Sequence, residues 1–300
     1  MAGEGAEAIE EFCKELGRRV QFIRDLYRTG RIGLRRGEGL SLALDEAAAL
    51  AAGDKSSEPF SQELLIRVVN DAHIIYAIAE SLETCTKAGL NIAHHLKQLT
   101  TGTADYGTPA ASNVGTMFLK DFEFEIFIAA TLIRHGLMPA LPDEPNDPRG
   151  DVLFDGIFIE AKHPNSIGQL EKLLRKFNAA LRNDRRFGVF AVGLEDAYNL
   201  GDRSEFLSQA DYQDWLGAKQ QGMEAMGLNL VRRAASLPRI AALVQTQSKV
   251  EIVGGGTTMR RVGNSVLFDH RSNFSDYEMT ARAIAEAFNP RPILYSTLNV

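Results

Sequence analysis

The chain reads as an α/β protein preceded by an all-helical segment, and three features point that way. Apolar residues recur at helical spacing through the N-terminal third. A stretch rich in Gly, Thr, Pro and Ser then interrupts the pattern around residues 101–113. Beyond it, short β-rich runs alternate with amphipathic helices, the pattern of a mixed sheet covered by helices. The division this implies is a helical domain over residues 1–112 and an α/β domain over residues 113–300.

Residues 6–29 place Ile9, Phe12, Leu16, Val20, Ile23, Leu26 and Tyr27 on one helical stripe. The Gly/Arg-rich run over 30–39 reads as a loop, followed by an Ala/Leu-rich helix over about 40–52. A break leads to a long helical region from Ser61 to about Leu99, with acids at its start that suit the helix dipole. After the linker, residues 115–135 form a helix with an unusually apolar centre, closed by Gly136 as a C-terminal stop. Two short strands, VLF and IFIEA, flank Asp155-Gly156. Residues 166–182 form an amphipathic helix, 187–194 a buried strand, and 204–235 further helical material. RIAALVQ and the stretch around NSVLFDH read as strands, GGGTT (254–258) as a flexible turn, and DYEMTARAIAEAF as a closing helix. The order from residue 115 is therefore helix, strand, strand, with room for a third, then helix and strand.

Composition sets outer bounds. Of 300 residues, 45% are apolar and 24% charged, which excludes a disordered or fibrous chain. No apolar run approaches the roughly 18–20 residues that span a bilayer, so no membrane partner is expected. Cys13 and Cys85 are the only cysteines, and the N-terminal stretch lacks a signal-peptide pattern, so a reducing cytoplasm is the expectation. The net charge of −6 excludes a uniformly basic coat but not a local basic patch.

The chemistry concentrates in residues 149–164. Asp-Gly between β-rich runs signals a type I′ hairpin, whose two loop residues need positive φ. With Asp155 and Gly156 as the loop, Phe154 pairs with Ile157, Leu153 with Phe158, Val152 with Ile159, and Asp151 with Glu160. Directly opposed residues share a face at Cβ separations of about 4.5–5.5 Å, and strand periodicity adds Lys162. Two opposed carboxylates repel, and a divalent cation is the natural compensation; hard oxygen donors suit Mg²⁺ or Mn²⁺. A neighbouring lysine orients water and steadies charge on a phosphate. Upstream, Glu123 and Glu125 stand two apart on the 115–135 helix and so cannot point the same way.

Asp151 followed by Glu160-Ala161-Lys162 after a turn resembles the PD-(D/E)xK nuclease superfamily, over roughly residues 115–195. The resemblance implies a restriction-endonuclease-like core: a helix, a three-strand meander, a second helix and a fourth strand. It implies metal ligands Asp151, Glu160, the carbonyl of Ala161 and a helix glutamate. In archaeal-type Holliday junction resolvases of this superfamily that glutamate lies about eleven positions before the helix-ending Gly. Glu125 is 11 before Gly136, so Glu125 is preferred and Glu123 is the alternate. Gln169 resembles a Gln that the second helix of the family sometimes carries near the site. Gly150 stands where the family pattern has its nominal proline. The activity implied is metal-dependent phosphodiester hydrolysis, with DNA the expected substrate, RNA an alternative, and restriction, repair or anti-phage defence the usual settings. A non-catalytic scaffold on the same fold is the competing expectation.

Lys172, Arg175, Lys176, Arg182, Arg185 and Arg186 follow the site at once and form a local basic cluster suited to flanking phosphates, or simply a solvated helix face. The six histidines are scattered and show no HExxH pair. His163 is expected to face away from the side chains of Glu160 and Lys162. The N-terminal helices carry no catalytic signature; their apolar faces suggest a homodimer contact, a partner-binding module or control of the site.

Overall fold

The computed structural model describes residues 2–34, 39–52, 62–100, 118–142, 150–164, 166–194, 204–206, 208–253, 256–269 and 274–296. Four helices come first: α1 (Ala2–Thr29), α2 (Gly39–Ala51), α3 (Gln62–Lys87) and α4 (Ala93–Gln98). The region expected to be one helix from Ser61 to Leu99 is thus broken, because the chain turns at Gly89 and Leu90, whose N–H groups bond back to Thr86 O and Cys85 O. Then come α5 (Phe118–Arg134), β1 (Val152–Phe154), β2 (Ile157–Lys162), α6 (Ile167–Asn183), β3 (Gly188–Gly193), β4 (Ser204–Phe206), α7 (Gln209–Ala235), β5 (Ile240–Val253), β6 (Gly256–Asp269), α8 (Phe274–Phe288) and β7 (Ile293–Ser296).

The strands form one mixed sheet in the order β1-β2-β3-β5-β6-β7, with β4 beside the far end of β5. The hairpin β1–β2 is antiparallel, and β3 runs parallel to β2. A single antiparallel bridge from Ala140 to Leu153 lies on the outer side of β1. β5 is parallel to β3, β6 returns antiparallel to β5, and β7 is parallel to β6.

Two expectations fail at the C-terminal side. Ser204–Phe206 is a strand rather than helix, because it pairs with Glu251–Val253 of β5. β7 is an added strand, fixed by its pairing with Val266–Asp269. Both depend on partners distant in sequence. The expected turn at GGGTT lies partly outside the described residues, and Gly256–Thr258 already belong to β6.

Each side of the sheet carries its own core. On one side, Phe158, Phe190, Val192 and Leu243 meet Leu170, Leu174, Phe177 and Leu181 of α6 and Met223, Leu230 and Val231 of α7. On the other, Ile159, Ala161, Val189 and Ala191 share a continuous apolar cluster with α5, α8 and the N-terminal helices. The stripe of α1 (Leu16, Val20, Ile23, Tyr27) is buried in that same cluster, as α1 packs on α2 and α3. It is therefore absorbed within the chain. α3 packs on α5, where Glu80 accepts from Arg134 at 3.0 Å and the Cys85 thiol lies 3.8 Å from Ile126 O. The linker expected at 101–113 lies outside the described residues, but the helices on either side of it share one core. Cys13 and Cys85 are free thiols, and no helix among the described residues is long and apolar enough to cross a membrane.

α5 is fixed to the sheet by a buried ion pair. Arg261 on β6 holds both oxygens of Glu123, at 3.1 and 3.0 Å. Its guanidinium stacks 3.9 Å from the Phe127 ring centroid. Removing one partner of such a pair strands the other's charge. Arg261→Met should lower unfolding free energy by about 3–5 kcal/mol in urea denaturation, with much of the loss recovered in the double variant with Glu123→Gln.

Candidate functional site

The hairpin loop adopts the type I′ geometry: Asp155 has φ +44° and Gly156 φ +78°. The register follows as expected through Phe154–Ile157, Leu153–Phe158 and Val152–Ile159. It does not continue to Asp151–Glu160. The Asp151 N–H donates to Ile159 O at 2.8 Å, so Asp151 and Val152 both face Ile159. This is a bulge, and it re-aims the Asp151 side chain. Gly150 makes it feasible: its φ is +142°, and a side-chain Cβ there would stand only 3.0 Å from Ile159 O.

The re-aimed carboxylate still reaches β2. Asp151 Oδ2 accepts from the Ala161 N–H at 2.8 Å and from Lys162 Nζ at 2.7 Å. Lys162 Nζ also lies 3.1 Å from Glu160 Oε1. Asp151, Glu160, Ala161 and Lys162 are thus brought together, with the ammonium in the position expected for a metal ion.

α5 brings two more acids within electrostatic reach of this cluster. Glu125 is buried and feels Asp151, Lys162, Asp121 and Glu160. Glu123 is turned away into its pair with Arg261, so geometry separates the two helix glutamates in favour of Glu125. Asp121 was missed in the sequence. It stands four residues before Glu125, on the same helical face, and accepts a hydrogen bond from the His163 backbone. The i, i+4 spacing was the available signal. His95 was also missed: its Nε2 lies 2.9 Å from Glu125 Oε2. No local pattern marks it, because the contact joins α4 to α5 across the linker.

The cluster holds four carboxylates and one ammonium. Burial, then repulsion from Asp151, pushes Glu160 up to about 7. Burial raises Asp121 to about 6, against the attraction of His163 and Lys162. Burial and the Asp151 charge raise Glu125 well above the usual carboxylate range. Burial opposes the Lys162 ammonium, but the pull of Asp151 and Glu160 outweighs it and raises its pKa.

The remaining expected residues are placed as follows. Lys172, Arg175, Lys176, Arg182, Arg185 and Arg186 are all exposed along α6 and the turn after it. Lys176 lies within electrostatic reach of Glu160, and the Arg186 guanidinium sits 5.5 Å from the Phe158 ring centroid. Gln169 is exposed in the first turn of α6, its N–H capped by Ser166 Oγ at 3.3 Å. His163 is buried, its ring and that of Phe124 packed edge to face with centroids 6.2 Å apart.

The donor set suits a hard divalent cation: four carboxylates whose mutual repulsion one ammonium relieves only in part. As they stand, with the Lys162 ammonium among them, these carboxylates form no group of three or more that could hold a metal ion, nor does any other set of His, Cys, Asp and Glu side chains among the described residues. Comparison of the chain with protein-family models, with curated proteins and with solved structures gives no match.

The raised carboxylates set a pH dependence. The folded state keeps protons on Asp121 and Glu160 that the unfolded state has already released, so stability falls as pH rises from about 4.5 and levels off above about 7. Thermal melts in EDTA should therefore give a higher Tm near pH 5 than near pH 8. Added Mg²⁺ should raise Tm more at pH 8 than at pH 5. Glu160→Gln should flatten the slope.

Proposed function

We propose that this chain is a metal-dependent endonuclease of restriction-endonuclease-like type, hydrolysing phosphodiester bonds with DNA as the preferred substrate. The observation that carries the reading is the convergence of Asp151, Glu160 and Lys162 at one hairpin, within electrostatic reach of Asp121 and Glu125 on α5. A structural hairpin gains nothing from repelling acids in a buried place; a cation-binding site does. The element order supports the same reading. Ala140, β1 and β2 make a three-strand meander after α5, with its first strand reduced to one bridge, and α6 then leads to β3 parallel to β2.

Asp121, Glu125, Asp151, Glu160 and the Ala161 carbonyl are the groups that would hold Mg²⁺ or Mn²⁺. Bound there, the cation polarises a phosphate oxygen and lowers the pKa of a coordinated water. Lys162 is held as an ammonium by its carboxylate neighbours. Its part is to donate hydrogen bonds to the attacking water or to a phosphate oxygen, and to oppose the charge that builds there. Of the exposed cations of α6 and the turn after it, Lys176 lies within electrostatic reach of Glu160, while Arg186 sits by the hairpin at Phe158; together they would carry a polyanion backbone along this face. A cytoplasmic setting, a role in restriction, repair or defence against foreign DNA, and a homodimer presenting two sites belong to the same proposal. A dimer would not form through the α1 stripe, which is internal.

One observation favours a second reading. Lys162 already pairs with both Asp151 and Glu160, which a non-catalytic scaffold on the same fold would also show.

The test is incubation of plasmid DNA and of RNA with the full chain and Mg²⁺ or Mn²⁺. Cleavage should occur, and Asp151→Ala and Lys162→Ala should each reduce its rate about a hundredfold or more. Cleavage untouched by both substitutions would defeat the assignment. Absence of cleavage with either metal on either polymer would favour the scaffold.

A further inference from the structure

Among the described residues, a side chain of α4 joins the helical layer to the acidic cluster. His95 of α4 is 3% exposed, and its Nε2 lies 2.9 Å from Oε2 of Glu125, itself 7% exposed. The imidazole is wedged in place. The ring of His94 meets it edge-on with centroids 5.8 Å apart, and the ring of Phe122 does so at 5.5 Å. α4 is pinned from the other side, where the buried Tyr27 hydroxyl of α1 donates to Leu96 O at 2.6 Å. A chain of fixed contacts thus runs from α1 through α4 to the glutamate of α5.

A buried carboxylate that must keep one orientation needs a donor to hold it. Glu125 has two oxygens, and His95 engages one of them. The Nδ1 atom is buried without a hydrogen-bond partner, which fits a bare acceptor there and the hydrogen on Nε2, facing Glu125.

We infer that His95 is a positioning residue for the metal site: by donating from Nε2 to Glu125 Oε2 it fixes the glutamate for cation binding and makes the N-terminal helices part of the site. The inference rests on the metal-site reading above. It deepens that reading, since it assigns the helical region a role that no local motif suggests. Partners that orient a ligating group are commonly worth about 10–100-fold in metal affinity.

The test measures binding of Mn²⁺ alone to the metal-free full chain, reading free Mn²⁺ by electron paramagnetic resonance. His95→Leu keeps much of the volume and removes the donor. His95→Gln carries an amide N–H at about the reach of Nε2, whereas His95→Asn is shorter and falls short of Glu125. His95→Leu and His95→Asn should weaken Mn²⁺ binding about tenfold or more, and His95→Gln should bind as the wild type does. In a Glu125→Gln background, His95→Leu should add no further loss, which a purely structural role would not produce. Should His95→Leu fail to fold, as judged by circular dichroism, the Gln and Asn variants decide between the outcomes. Mn²⁺ uptake by the wild type with equal affinity in the Leu and Asn variants would overturn this inference and leave the metal site standing. Equal losses in the Gln and Asn variants would overturn it too. No Mn²⁺ uptake by the wild type would remove the metal-site reading and this inference with it.

Discussion

The structure around the hairpin is organised by one ammonium among too many acids. Lys162 stands within 2.7 Å of Asp151 and 3.1 Å of Glu160, with Glu125 and Asp121 close enough to feel the same charge. Without it, the carboxylates would have to take up protons or leave the interior, because low dielectric magnifies both their repulsion and their loss of water. With it, the balance is still incomplete, which is why three of the four acids hold protons more tightly than ordinary carboxylates do. The bulge at Asp151, the positive φ of Gly150 and the tight I′ loop all serve to deliver that pair of strands to this point.

The contrast with Glu123 separates an acid with a complete partner from the crowded acids on the same helix. Glu123 also faces the interior, but it meets a guanidinium that satisfies both its oxygens and is itself stacked on Phe127. That is a complete local solution, and it ties α5 to β6. Two residues along, Glu125 has a neutral imidazole on one oxygen and three other acids nearby. The α-helix makes the distinction possible. Positions 121 and 125 share a face, while 123 lies on another, so one helix anchors itself with one acid and contributes two to the cluster.

Much of this was legible in the chain because it is local. Asp155-Gly156 set the loop, and strand alternation then placed Glu160 and Lys162 on one face and the apolar residues 159 and 161 on the other. The register argument stopped being valid at Asp151, where a glycine allowed one extra residue into the strand; periodicity cannot register such an insertion. The part that was not legible is non-local. β4 and β7 exist only because β5 and β6 offer them an edge. His95 is an ordinary helix residue until α4 is docked on α5. Asp121 lies between these cases, since its helical spacing to Glu125 was readable, but its proximity to the backbone of residue 163 was not.

The charge distribution also says what must happen when a polyanion binds. On the proposed reading the exposed cations of α6 would attract a phosphate backbone, and Lys176 lies within electrostatic reach of Glu160. The same backbone is repelled by four carboxylates with a single ammonium among them. Attraction along the helix and repulsion at the hairpin cannot both be satisfied by the protein alone. A divalent cation reconciles them, because it attracts the acids and a phosphate oxygen together. It also offsets the protonation that the crowded acids otherwise need. Nucleic acid, cation and deprotonated cluster are then expected to bind as a coupled set, each strengthening the others, while raised salt weakens the α6 contribution before it weakens the cation's hold on the carboxylates.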